Sequence, residues 1–151
     1  MTPHIPIRVF LLSGSRFLGE ALGRVLRRSP DILVVGACSY SADTPEEIIE
    51  SKCDVLLTES VSVLELDSQI PDDQLCSLSR LKVVMIEMDE DDPAISKLER
   101  VLVMRCLLKE AAVADVITAI RGVANGESMY PPQLQRMQYS MGVSTTGHSD
   151  P

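Results

Sequence analysis

Met104-Arg-Cys-Leu-Leu-Lys-Glu-Ala111 leads into a periodic apolar stretch, Val113, Val116, Ile117, Ile120 and Ala124, that stops at Asn125-Gly126. The first half has the continuous apolar character of a strand buried on both faces. The second has the spacing of a single helical face, closed by an Asn-Gly stop. Lys109 stands between them at the mouth of the strand, where open α/β sheets bind anions. The acidic partners expected beside such a lysine are missing, so the unit reads as a phosphate-switch scaffold without its switch chemistry.

The same strand-then-helix unit recurs upstream. Residues 7–12, 32–38, 54–58, 82–87 and 103–108 are short apolar runs that fit five strands. After the first, Phe17, Leu18, Ala21, Leu22, Val25 and Leu26 recur at helical spacing until Ser29-Pro30. Thr44-Pro45-Glu46-Glu47 opens a second, short helix with proline and acids in its first turn. Residues 60–80 carry only weak helical periodicity, interrupted by Pro71. Asp92-Pro93 starts a further short helix expected to carry Ile95, Leu98 and Val101. Strands separated by single helices require right-handed parallel crossovers, and the economical result is one doubly wound sheet.

At 151 residues the chain is one domain plus a tail, large enough to bury roughly two-thirds of its unfolded surface. We place the domain at residues 5–130 and a linker or disordered tail at 131–151, where the pattern dissolves into Gln, Ser, Thr and Gly after Tyr130-Pro131-Pro132. The apolar fraction is 45 % and Trp is absent, which suits a parallel sheet covered by helices. A net charge of -8 opposes attraction to a polyanionic duplex, so no direct nucleic-acid contact is expected from this segment. Cys38, Cys53, Cys76 and Cys106 form no Cys-x-x-Cys pair and have no nearby His; they are expected to be reduced, buried core thiols. Neither a signal peptide nor an apolar run of spanning length is present. A cytoplasmic protein without membrane contact is expected.

Beyond the carboxyl ends of the strands arrive Ser13-Gly14-Ser15, Glu59-Ser60, Glu87 and Lys109. With these residues in place, the chain resembles the receiver domain of bacterial response regulators of the NarL/LuxR type. The resemblance covers about residues 5–132. It rests on Ile7-Arg-Val-Phe-Leu-Leu12, on Arg28-Ser-Pro-Asp-Ile-Leu-Val-Val-Gly-Ala37 and on Asp54-Val-Leu-Leu57. Further matches are Leu107-Leu-Lys-Glu-Ala111, Ala119-Ile-Arg-Gly-Val-Ala-Asn-Gly126 and Tyr130-Pro-Pro-Gln-Leu134. It implies a flavodoxin-like, doubly wound five-stranded parallel sheet of order 2-1-3-4-5.

The departures weigh more than the matches. The two acids that hold Mg2+ in the family fall on Ser13 and Gly14, which removes most of the ligand charge of an octahedral oxygen site. The phosphoacceptor Asp corresponds to Glu59, the switch Ser or Thr to Glu87, and the switch aromatic to Cys106. Of the phosphorylation set only Lys109 remains. Glu59 has two readings: its longer carboxylate pairs with Lys109 and stands in for the phosphorylated Asp, or Glu59, Glu87 and Lys109 form a solvated charge cluster in a decayed pocket.

Rival motifs are weaker. Leu11-Leu-Ser-Gly-Ser-Arg-Phe-Leu-Gly19 also resembles the dinucleotide loop of short-chain dehydrogenases, but Arg16 takes the middle glycine position and no acid follows the second strand. Gly19 and Gly23 either admit a partner helix or are merely tolerated. Asp89-Glu90-Asp91-Asp92 lacks the spacing of a calcium loop and reads as a solvated loop. His4 and His148 lie near the two termini and are no catalytic bases.

The expectation is a phosphorylation-independent receiver-like domain of a response or transcription regulator. It would act by homodimerisation, or heterodimerisation with another regulator, through the first and last helices or through the fourth helix and fifth strand. The DNA-binding domain implied by the resemblance would lie outside this chain. No catalytic residue, metal or cofactor is expected. The alternative is a small-molecule sensor using the emptied pocket around Ser13, Ser15, Glu59 and Lys109.

Overall fold

The computed structural model describes residues 5–78 and 81–127. Five strands, β1 (Ile7–Leu12), β2 (Ile32–Cys38), β3 (Val55–Glu59), β4 (Lys82–Met88) and β5 (Val103–Leu108), form one all-parallel sheet in the order β2-β1-β3-β4-β5. The helices are α1 (Arg16–Leu26), α2 (Thr44–Ser51), α3 (Ser60–Gln69), α4 (Asp72–Leu78), α5 (Ala94–Lys97) and α6 (Val113–Ala124). This is the expected flavodoxin-like architecture.

The strand alternation divides the core into two layers. Val9, Leu11, Val55, Leu57, Val84 and Ile86 point to one face, where Leu22 and Leu26 of α1 and Val116, Ile120 and Val123 of α6 cover them. Phe10, Leu12, Leu56, Val83 and Met85 point to the other, covered by Ile48 of α2, Val63 and Leu66 of α3, Leu78 of α4 and Ile95 of α5. Burial on both faces explains why the strands read as unbroken apolar runs. At the amino-terminal end of the sheet, Arg121 of α6 grips Asp31 through two hydrogen bonds, 2.7 and 3.0 Å, across 90 residues of sequence. Lys82 Nζ donates to the Ala124 carbonyl at 3.1 Å, satisfying one of the helix-end acceptors of α6.

Several expectations need correction. Phe17, assigned to the buried face of the first helix, is 84 % exposed. The buried arc of α1 centres on Leu22, Gly23 and Leu26, and a residue five positions before Leu22 lies about 140° around the helix from it. The indistinct segment 60–80 resolves into α3 and α4, separated where Ile70 turns extended before Pro71. Its periodicity was blurred because α3 turns two polar residues, Ser62 and Asp67, inward beside Val63 and Leu66.

The helix expected over residues 93–101 is a single turn, Ala94–Lys97. Leu98 and Val101 are buried, but from irregular chain. Asp67, only 5 % exposed, accepts hydrogen bonds from the backbone N–H groups of Glu99, Arg100 and Val101 at 2.9, 2.7 and 2.7 Å. Those are the donors a continuing helix would direct to its own carbonyls, so the carboxylate competes directly with helix extension. Arg100 Nη1 adds a bond to the Ile70 carbonyl at 2.7 Å.

The thiols also differ from expectation. Of the four, none disulfide-bonded, only Cys106 is buried; Cys38 and Cys53 are half-buried and Cys76 is exposed. Burial pushes the Cys106 thiol up to about 12, which leaves roughly one thiolate in ten thousand at pH 8. Native-state alkylation with iodoacetamide at pH 8, followed by peptide mass analysis, should therefore modify Cys76 first and leave Cys106 intact until denaturant is added. Early labelling of Cys106 would contradict the packing of β5. The proposed tail, residues 131–151, and the Tyr130-Pro131-Pro132 boundary lie outside the described residues.

Candidate functional site

The carboxyl ends of β1 and β3 lie side by side because Leu12 pairs with Thr58 in the sheet register. The next residues are therefore forced together: the Ser13-Gly14-Ser15 turn from β1 and Glu59 from β3. Ser15 caps α1, its hydroxyl accepting from the Leu18 N–H at 3.2 Å, which fixes the turn. One oxygen of Glu59 accepts three hydrogen bonds, from Ser13 Oγ at 3.1 Å, Ser62 Oγ at 3.2 Å and the backbone N–H of Gly14. The pocket is thus a cradle of donors, chemically suited to an anion, and the chain's own carboxylate fills it.

Lys109 does not join this cluster. Its ammonium pairs with Asp89 at 2.7 Å, and its backbone N–H binds the Met88 carbonyl at 3.0 Å. The hydrogen bond it donates to Asp89, with that residue's charge, holds the lysine above its ordinary pKa; Glu110 and Glu87 contribute less. The pairing of Glu59 with Lys109 is therefore not what this fold adopts. The reason lies in β4. Between Met85 and Met88 its register on β5 slips, three steps against the two from Cys106 to Leu108. This is the signature of a bulge. Glu87 sits at φ 58° within it, exposed, and two residues on Asp89 meets the lysine. Glu87 thus belongs to the rim and not to the cradle.

Cys106, expected from sequence to correspond to the switch aromatic of receiver domains, pairs in register with Met85 and packs in the core layer that contains Ile95 and Leu98. It brings neither a ring nor a polar group to the site. Among the described residues no three His, Cys, Asp or Glu side chains converge on a point that could hold a metal ion. Ser13 and Gly14, expected from sequence to correspond to the Mg2+ acids of receiver domains, present a hydroxyl and an N–H, both engaged as donors to Glu59. These residues do not fit a hard divalent cation.

Three participants escaped sequence reasoning. Ser62, three residues after Glu59 on the first turn of α3, was in reach of a helix-spacing argument. Asp89 had no local signal, because its partner is reached only through the bulge. Asp92 was read as a helix starter, and it does accept from Ala94 N–H at 2.9 Å, but it also receives Ser60 Oγ at 2.6 Å, tying α3 to α5. Among the described residues no helix is long and apolar enough to cross a membrane.

No protein-family model and no curated protein matches the chain. Solved structures do match. The signal receiver domain of the response regulator NarL from Mycobacterium tuberculosis superposes with a TM-score of 0.59 at 19 % identity, over 82 % of this chain and 99 % of that one. A LuxR-family two-component response regulator from Aurantimonas sp. SI85-9A1 gives 0.64 at 15 % identity, over 90 % and 98 %. A structure of two RcsB dimers bound to two parallel DNAs gives 0.62 at 14 % identity, over 87 % of this chain and 67 % of that one. The chain has the receiver fold; at these identities the likeness carries no activity with it.

Proposed function

We propose that this chain is a receiver-like regulatory domain of a response or transcription regulator, working in the cytoplasm through protein association and taking no phosphoryl group. The observation that carries this is the cradle of Glu59. Aspartyl phosphorylation requires a free carboxylate oxygen facing a metal-held phosphoryl group, with a lysine to receive the developing charge. Here Ser13, Gly14 and Ser62 hold one oxygen of Glu59, Ser13 and Gly14 bring no carboxylate for a metal ion, and Lys109 is paired with Asp89. The site is spent on holding one conformation.

Association is best assigned to the α1–α6 layer, forming a homodimer or a heterodimer with another regulator. Phe17 and Val113, in the first turns of these helices, are 84 % and 43 % exposed, and both helices start at the same end of the sheet. The competing face is diminished, since α5 is one turn and its continuation is pinned by Asp67. Any DNA contact belongs to a separate domain, as the charge of -8 requires.

Incubation with acetyl phosphate and Mg2+, followed by intact mass and light scattering on one sample, is expected to give a dimer and no phosphate-sized mass gain. Glu59→Asp alone should remain unmodified too, because Ser13 and Gly14 still supply no carboxylate. Phe17→Glu should convert the dimer to monomer, since a standard interface needs about 800 Å² from each partner and tolerates no unpaired charge at its centre. Phosphoryl uptake by the unaltered chain would overturn the switchless reading; a monomer throughout would overturn the associative one.

A further inference from the structure

On the far side of β1 from Glu59, α1 and the end of β2 enclose a groove of about 450 Å³, within the range of small-molecule sites. Its floor is helix α1 at Gly19 and Gly23, its wall includes Leu11 and Ala37, and Ser13 and Arg27 line its ends. The groove shares Ser13 and Ser15 with the emptied pocket considered from sequence, but neither Glu59 nor Lys109 lines it, so its occupation does not depend on the reading above.

Three features mark it. A Cβ at Gly19 would meet nothing nearer than Ser13 Cβ at 4.0 Å, so internal packing does not require glycine at a helix position where it costs about 1 kcal/mol against alanine. A Cβ at Gly23 would lie 3.1 Å from Arg27 Nη1 and 3.6 Å from Leu11 Cδ1. The missing side chain is therefore what lets the guanidinium lie back along the groove. Lastly, among the described residues Arg27 forms no ion pair, whereas Arg16, the other arginine of the lining, is held by Glu20.

Three backbone donors nearby are already engaged: Gly14 N–H by Glu59, Ser15 N–H by Ser13 Oγ and Leu18 N–H by Ser15 Oγ. Arg27 is the cation of the lining without an ion pair. We infer that the α1–β2 groove binds a small organic anion with an apolar body, its anionic group on Arg27 and its body against Leu11, Ala37 and the two glycines. Ser13 both lines this groove and donates to Glu59, so an occupant would touch the turn that holds the carboxylate.

The probe is 8-anilinonaphthalene-1-sulfonate, titrated into the full chain and followed by 1H–15N amide shifts. Saturable 1:1 shifts centred on Gly19, Gly23 and Ala37 are expected. Gly19→Leu, which fills the space, should abolish them while circular dichroism stays unchanged. Arg27→Gln, a surface change that leaves the core alone, should weaken the probe about fivefold. The uncharged analogue N-phenyl-1-naphthylamine should bind the unaltered chain weakly by a similar factor. Shifts centred elsewhere, no saturation, or equal binding by either variant would overturn the site; equal binding of the neutral analogue would overturn its assignment to anions.

Discussion

Asp67→Ala is expected to destabilise the protein by about 3 kcal/mol, the sum of three backbone donors losing a buried, charged acceptor, lessened by water reaching the exposed end of the segment. Glu99, Arg100 and Val101 all direct their N–H groups at this one carboxylate, and Val101 is itself buried. Asp67→Asn keeps a single acceptor oxygen and should fall between. Asp72→Ala is the control: it removes the exposed partner of Arg100 at 3.2 Å, and such pairs contribute about 0–1 kcal/mol. Urea unfolding measures the three variants. Amide exchange supplies the location, because the amides of residues 99–101 should lose protection before the rest of the sheet. If Asp67→Ala unfolds at the same urea concentration as the parent, the segment is held by something other than this clamp.

A second large effect is expected in β2. A Cβ at Gly36 would lie 2.5 Å from Phe10 Cε2 and 2.8 Å from Cδ2, and the Phe10 ring is 3 % exposed with no room to retreat. The β1–β2 register slips just here, from Val9 opposite Val34 to Phe10 opposite Gly36, so the ring lies across a bulge whose glycine has no side chain. Gly36→Val should cost about 2–3 kcal/mol through overpacking. The pairing is directly testable by a double-mutant cycle: with Phe10→Leu in place, the same valine should cost much less. Additive penalties would mean that glycine is needed for its backbone and not for the ring.

The strands were legible in sequence because burial on both faces leaves long apolar runs, and the sheet order followed once Leu107-Leu-Lys-Glu-Ala111 and its companions suggested the receiver pattern. The meeting of Ser13, Gly14 and Glu59 was legible for the same reason, since it needs only the strand ends to be adjacent. The partners within the site were not. Lys109 takes Asp89 because β4 carries an extra residue at Glu87, and a bulge of one residue leaves no hydropathy signal. The shortening of α5 depends on Asp67, more than thirty positions upstream, which from sequence is one more polar residue in a weakly periodic helix. Phe17 was misplaced because helical spacing admits it to an apolar arc whose centre only the tertiary packing defines.

The ion pair between Asp31 and Arg121 bears on how the chain is born. Its partners are 90 residues apart, and at ribosomal speeds of about 5–20 residues per second that interval lasts roughly 5–20 s. For about the last third of it, from Ile86 to Val116, the sheet face bearing Val55, Leu57, Val84 and Ile86 awaits Val116, Ile120 and Val123 of α6. The nascent chain therefore passes this late stretch of its synthesis with one apolar surface bare, and holdase chaperones should engage it until α6 has emerged.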